Sequence, residues 1–195
     1  MLKNSKKKKP ISKRVENEEI EKVKEQMKKE PIVKKVFKKY KVPISAIDKV
    51  DMAFEDMDVS AKTKGGKIYF NIKFLDGGGF DEEHYAVHEL IHYCQQVTDS
   101  LDDKEMEKDY LDNEHEMEAF ENQVEYKEKE EGEGEAKRYV NQVLDHHNLK
   151  GKKRKRKFRE LLSTAAKNIL LKQSGQKWVF PPKQCVRSRC AHFPD

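Results

Sequence analysis

An α+β fold is what this chain predicts: a small antiparallel sheet packed on one histidine-bearing helix, with a mainly helical second half. Three observations carry that reading. Ile68, Phe70, Ile72 and Phe74 alternate with Lys67, Tyr69, Asn71 and Lys73, the period-2 pattern of a half-buried strand. From Asp81 to Val97 no Gly or Pro intervenes, and Ala86, Leu90, Ile91 and Cys94 supply an apolar side. Beyond Asp112, apolar residues recur at helical spacing in three successive segments.

Taken in order, Met1–Ser12 is a lysine-rich arm without periodicity, expected to be disordered. Residues 13–49 form a helical segment. Glu16 to Lys29 carries Ile20, Val23 and Met27, Pro31 interrupts, and Ile32, Val33, Val36, Phe37 and Tyr40 give a short amphipathic helix closed by Pro43. The main domain spans residues 50–172. Val50, Met52, Phe54, Met57 and Val59 read as an extended run, Gly65-Gly66 as a turn, and Ile68–Phe74 as the returning strand of an antiparallel hairpin. Gly77-Gly78-Gly79 links the hairpin to the next helix, for which Asp81 is the expected N-cap and Glu82 and Glu83 the first turn. After a polar loop, a helix starts near Asp112 or Asn113 and ends at Gly132 and Gly134. A second carries Ala136, Tyr139, Val140, Val143 and Leu144 and stops near Asn148. A third follows the basic run Lys152–Lys157, with Phe158, Leu161, Leu162, Ala165, Ala166, Ile169 and Leu170. Residues 173–195, with Trp178 and Pro181-Pro182, read as an irregular tail.

Composition bounds the function classes. Only 35% of the 195 residues are hydrophobic and mean hydropathy is −1.02, so the core must be small. Lys+Arg 41 and Asp+Glu 36 nearly cancel to +5, but the charges are segregated: basic at Lys6–Lys9 and Lys150–Lys157, acidic from Asp102 to Glu135. No run approaches the ~18 apolar residues of a membrane span, and no apolar stretch follows the first lysines, which makes a cytoplasmic protein without membrane contact the expectation. The three cysteines, Cys94, Cys185 and Cys190, form no disulfide framework. Cys94 reads as an apolar filler, and Cys185, Cys190 and His192 as a weak metal or pairing motif.

The chemistry concentrates at His88-Glu89-Leu90-Ile91-His92. On a helix, positions i and i+4 lie one above the other, so the two imidazoles can grip one metal ion while Glu89 stays free as a base. A catalytic zinc site needs a third protein ligand and an open position, and the helix after the polar loop offers Glu114, His115, Glu116 and Glu118. Glu116 shares its face with Asn113, Ala119, Phe120 and Gln123, which favours burial. Glu118 shares its face with Glu114, Glu121, Asn122 and Glu125, which reads as solvent. The pattern ranks Glu116 first and His115 second. His84 extends the histidine ladder, but it lies ~12 Å from His92 along the axis. That is too far to share an ion with Zn–N bonds of ~2 Å, so His84 belongs to the start of the helix.

His-Glu-Leu-Ile-His followed by Glu116-Met117-Glu118-Ala119 on a later helix resembles the zincin superfamily of metallopeptidases, and within it the gluzincins. The run His92-Tyr93-Cys94-Gln95-Gln96 is also similar to small, often phage-encoded proteins with two glutamines after the motif. The resemblance covers roughly Val50 to Gln123. It implies a zincin-like fold, one catalytic Zn²⁺ held by His88, His92 and Glu116, and Glu89 as general base in hydrolysis of a protein or peptide substrate. By the same resemblance, strand Ile68–Phe74 would be the edge that an extended peptide pairs with. Phe120 stands where many gluzincins carry a supporting aspartate. Tyr85, Tyr110, His146 and His147 are the candidates for stabilising an oxyanion.

Two rivals come from other classes. One is a zincin fold without turnover, retained as a structural or virion-associated protein. The other is a nucleic-acid-associated protein in which Lys150–Lys157 and Lys6–Lys9 meet phosphates. His115 as third ligand would resemble DNA-linked proteases that use three histidines, a group whose spacing this chain fits poorly.

Overall fold

Residues 12–77, 80, 82–98 and 110–173 are described by the computed structural model, the side chains of 163–173 excepted. The arm before Ser12, Gly78-Gly79, Asp81, the loop 99–109, the side chains of Ala165, Ala166, Ile169 and Leu170, and the tail with Trp178, Phe180, Cys185, Cys190 and His192 lie outside that set. The architecture is α+β, mostly helical, with one small sheet. Helix α1 spans Lys13–Lys29 and α2 spans Pro31–Lys39, followed by a 3-10 turn at Ile44–Lys49. Strands β1 (Asp51–Glu55), β2 (Ala61–Lys64) and β3 (Lys67–Asn71) lead through a 3-10 turn at Ile72–Gly77 to α3, Glu83–Val97. A short 3-10 turn at Tyr110–Asp112 precedes α4 (Glu114–Glu131), α5 (Glu133–His146) and α6 (Gly151–Gln173).

The sheet differs from the expected antiparallel hairpin. Its order is β1-β3-β2, with β2 antiparallel and β1 parallel to β3. Gly65 and Gly66 have φ of +59° and +73°, the left-handed pair that a two-residue hairpin turn requires, so the partner of β3 must be Ala61–Lys64. That strand carries no large apolar residue and was invisible to a hydrophobic pattern. Lys62 and Lys64 on it suit an edge. Val59, expected in the extended run, is 51% exposed.

Strand β3 also ends earlier than its alternation implies, because Asn71 turns the chain. Its buried side chain donates to the carbonyls of Met57 and Val59 at 2.6 and 2.9 Å, and its Oδ1 accepts from the Lys73 amide at 3.1 Å. That last bond starts the 3-10 turn, as Asn side chains do when they compete with a ladder. Phe74 then leaves the sheet to stack on Tyr85, ring centroids 5.4 Å apart.

Helix α3 is the hub, packed against α1, α2, α4, β2 and β3. Nine of its 15 residues are buried, so the polar ones among them must find partners within the protein. A first core joins α1, α2, the sheet and α3 through Met27, Phe37, Ile47, Ile68, Phe70 and Leu90, each burying ~1.5–3 kcal/mol of apolar side chain. A second core joins α4, α5 and α6 through Val124, Val140, Leu144 and Leu161. Helix α4 serves both, with Ala119 and Tyr126 on the first side and Met117, Phe120 and Val124 on the second.

The face of α4 that reads as solvent is in fact an interface. Asn122 and Glu125 are buried, and Lys35 of α2 reaches Glu125 at 3.0 Å. The Tyr40 hydroxyl donates to Glu118 at 2.6 Å, Gln26 donates to the Tyr126 hydroxyl at 3.2 Å, and Lys129 pairs with Glu30 at 2.9 Å. The basic run forms the first turns of α6 rather than preceding it. Lys153 and buried Lys157 pair with Asp112 at 3.0 and 3.1 Å, and Arg154 donates to Asp145 and to Asn141 Oδ1. No helix among the described residues is long and apolar enough to cross a membrane.

Replacing Asn71 with Ala strands two carbonyls and frees the turn. We expect a loss of about 2 kcal/mol in urea unfolding with a chelator present. An unchanged midpoint would show that the side chain does not hold the turn.

Candidate metal centre

Residues His88 and His92 project from α3 toward the N-terminal turn of α4, which Asn113 caps by accepting from the amides of His115 and Glu116 at 2.8 and 3.3 Å. The cap sets the rotation of that turn, and Ala119 lets the helices approach closely. Of the four sequence candidates for a third ligand, Glu116 is the one brought to the histidines. His115 contributes its backbone carbonyl instead, accepting from Gln95 Nε2 at 3.2 Å.

The three ligand-type atoms form a tight triangle. His88 Nε2 and His92 Nε2 are 3.0 Å apart, and Glu116 Oε2 lies 3.5 and 3.3 Å from them. Ligands at ~2.0–2.1 Å around a tetrahedral ion would be separated by about 3.3 Å. The proton positions make the triangle unusual. His92 Nδ1 faces Gln95 Oε1 at 2.8 Å, and because the Gln95 amide nitrogen is committed to His115, that ring nitrogen must be the donor. His88 Nδ1 faces Gln123 Oε1 at 3.0 Å, and the Gln123 amide nitrogen is buried with no hydrogen-bond partner among the described residues. With Nδ1 the donor on each ring, both Nε2 atoms present lone pairs to each other and to a Glu116 oxygen that is buried with no hydrogen-bond partner among the described residues. In that state three acceptors converge with no donor between them, and the residues fit a zinc ion in donor type, number and spacing.

Without a cation, protonation of an imidazole is the other way to satisfy the carboxylate. Burial alone would push the Glu116 carboxyl up, but the imidazoles of His88 and His92 outweigh it and hold the group well below the usual carboxylate range. Burial alone would lower His92, yet Glu116 first, then Glu89 and Gln95, raise it.

Residue Glu89 lies on the sheet side of α3, 5% exposed. The Thr63 hydroxyl on β2 sits 2.7 Å from its Oε2 and 3.0 Å from its backbone carbonyl. Sequence reading missed Thr63, since nothing in Ala-Lys-Thr-Lys marks a strand. It assigned no task to the paired glutamines either. Gln96 receives the Gly66 amide at 3.1 Å and donates to the Thr63 carbonyl at 3.2 Å, fastening the β2–β3 hairpin to α3. The edge beside the centre is thus β2. The expected edge, β3, is the middle strand and has no free side.

The supporting carboxylate absent at Phe120 is replaced by Gln123 one turn on, while the Phe120 ring packs edge-on against His88 at 4.9 Å. Of the oxyanion candidates, Tyr110 stands beside the centre. The residue is 44% exposed, but partial burial of its hydroxyl, then the charge and hydrogen bond of Glu116 and the charge of Glu89, push the phenol far up, so it stays a proton donor. His147 stacks on Tyr110 at 4.9 Å, and His146 lies against His147. Tyr85 is occupied by Phe74 and His84. His84 is buried at the start of α3 as expected, with Tyr139 edge-on at 5.3 Å. No protein-family profile, curated protein or solved structure matches the chain.

Two outcomes follow. Gln123→Leu should keep the fold but weaken zinc binding roughly ten- to a hundredfold in competition with a chromophoric chelator, because His88 loses the partner that fixes its tautomer. His84 is pushed down to about 3 by burial, Lys127 and His88. Unfolded, it titrates near ~6.5, so the unfolded chain takes up a proton that the folded chain refuses and stability falls as pH drops below that value. Urea unfolding at pH 7 and pH 5 should show His84→Phe losing about 2 kcal/mol less than wild type over that interval. Equal losses would contradict a neutral buried His84.

Proposed function

We propose that the chain is a zinc-dependent peptidase, with His88, His92 and Glu116 as metal ligands and Glu89 as general base. The observation that carries the reading is the convergence of two imidazole lone pairs and an orphaned carboxylate oxygen beside a second, separately held carboxylate. Zinc bound there supplies Lewis acidity toward a water molecule and a substrate carbonyl. The remaining tasks fall to the chain. Thr63 holds Glu89 Oε2, leaving its other oxygen to take a proton from the attacking water and pass it to the leaving amine. Tyr110, whose phenol is coupled to Glu116 and kept protonated, would donate to the carbonyl oxygen as negative charge develops. Strand β2, an edge strand whose Thr63 reaches Glu89, is where an extended peptide would align, the role assigned to β3 from sequence.

Zinc content by mass spectrometry tests the site. One equivalent in wild type, lost in Glu116→Ala and kept in His115→Ala, is expected. Glu89→Gln should retain the metal and lose hydrolysis by ~10²–10⁴-fold on an unfolded protein substrate. Metal at full occupancy with no turnover in wild type would leave a zinc-stabilised structural protein as the reading.

A further inference from the structure

Surface cations on several helices of this protein answer to acids of the same helix. Arg14 pairs with Glu18 and Lys28 with Glu25 on α1, Lys127 with Glu131 on α4, and Lys137 with Glu133 on α5. Helix α6 departs from that pattern. From Gly151 to Asp195 the only acids in the sequence are Glu160 and Asp195. Asp112, Asp145 and Glu160 are taken by Lys153, Arg154 and Lys157. The side chains of Lys152, Lys155, Arg156 and Arg159 are exposed and make no hydrogen bond or ion pair among the described residues. They stand at i, i+3, i+4 and i+7, one face of the helix, ~10 Å from first to last along the axis.

That placement is unfavourable for the helix itself. Like charges at these spacings repel, and the row begins at the N-terminal end, where the macrodipole already disfavours cations. Helices α1, α3, α4 and α5 each carry an acid in the first turn, and α6 has none. An external anion spread along the face would relieve both effects at once.

We propose that this face of α6 is a docking surface for the phosphate backbone of double-stranded nucleic acid, bound without regard to base sequence. Along one strand of a duplex the phosphates follow each other every ~3.4 Å of axis, so a ~10 Å row of cations spans about three of them. Two of the four residues are arginines, whose guanidinium fork takes phosphate oxygens two at a time. What the face lacks narrows the partner. A single strand needs aromatic platforms, and the aromatic of this stretch, Phe158, is half-buried against the second core. A helix lying on a membrane keeps an apolar side for the acyl chains, and here Phe158, Leu161 and Leu162 turn it into that core. An acidic protein would be anchored by apolar or aromatic residues, and none is exposed on α6 among the described side chains. The proposal stands apart from the peptidase reading, since none of the four residues belongs to the metal centre.

The test is fluorescence anisotropy of a short labelled DNA duplex with the full-length chain at several salt concentrations. Binding should weaken steeply with salt. Lys152→Gln/Lys155→Gln/Arg156→Gln/Arg159→Gln should flatten the log–log slope by about 3 to 4 and weaken binding roughly a hundredfold at low salt. Lys34→Gln/Lys38→Gln, which removes two exposed cations of α2, should leave slope and affinity nearly unchanged. With less repulsion in α6, the quadruple variant should unfold in urea no earlier than wild type, which separates a lost contact from a lost fold. If it does unfold early, Arg156→Gln alone decides, with an expected slope change of about one. Absent or salt-independent duplex binding overturns the proposal, as does an equal loss in the α2 variant or tighter binding of a single strand. Poly-glutamate that displaces the duplex at equal charge concentration overturns it in favour of an acidic protein partner.

Discussion

Two imidazoles and a carboxylate oxygen that converge on one point set the terms for the surrounding structure. The arrangement is repulsive on its own and needs a positive charge among the three acceptors. Holding it requires that neither ring rotate, that the carboxylate not swing out to water, and that two helices stay in register. Each requirement has a visible agent. Gln95 and Gln123 fix the rings, the Asn113 cap fixes the turn bearing Glu116, and Gln95 also ties α3 to the His115 carbonyl.

The register of α4 is defended from further away. Its apolar residues divide between two cores, and its polar face is stitched to α1 and α2 by Tyr40–Glu118, Lys35–Glu125, Gln26–Tyr126 and Lys129–Glu30. Glu125 is almost fully buried, so its pairing with Lys35 matters more for specifying the docking than a surface bridge would. The N-terminal helices, which carry no candidate site residue, thus act as a brace for the helix that brings Glu116 to α3.

Much of this was legible in the sequence. The strongly periodic helices and the Gly65-Gly66 turn stand where the pattern put them, and helical geometry singled out Glu116 because Ala119, Phe120 and Gln123 mark its face as buried. What escaped was whatever depends on polar atoms meeting across sequence distance. Strand β2 has no hydrophobic signature, so Thr63 and its grip on Glu89 could not be seen. The alternation through Phe74 was overruled by one Asn side chain. The acidic face of α4 looked solvated because its lysine, tyrosine and glutamine partners lie about 80 to 100 residues earlier in the chain.

The choice of amides rather than carboxylates behind the histidines has a consequence for the charge of the whole centre. Neutral rings backed by Gln95 and Gln123 leave Glu116 as the sole anionic member of the ligand set. A divalent cation held there would keep one residual positive charge, which Glu89 could balance. Aspartates in place of the glutamines would carry the same cluster to net negative. The amides would therefore keep such a cation electron-poor and anion-seeking, and they tie the rings in place without competing for its charge.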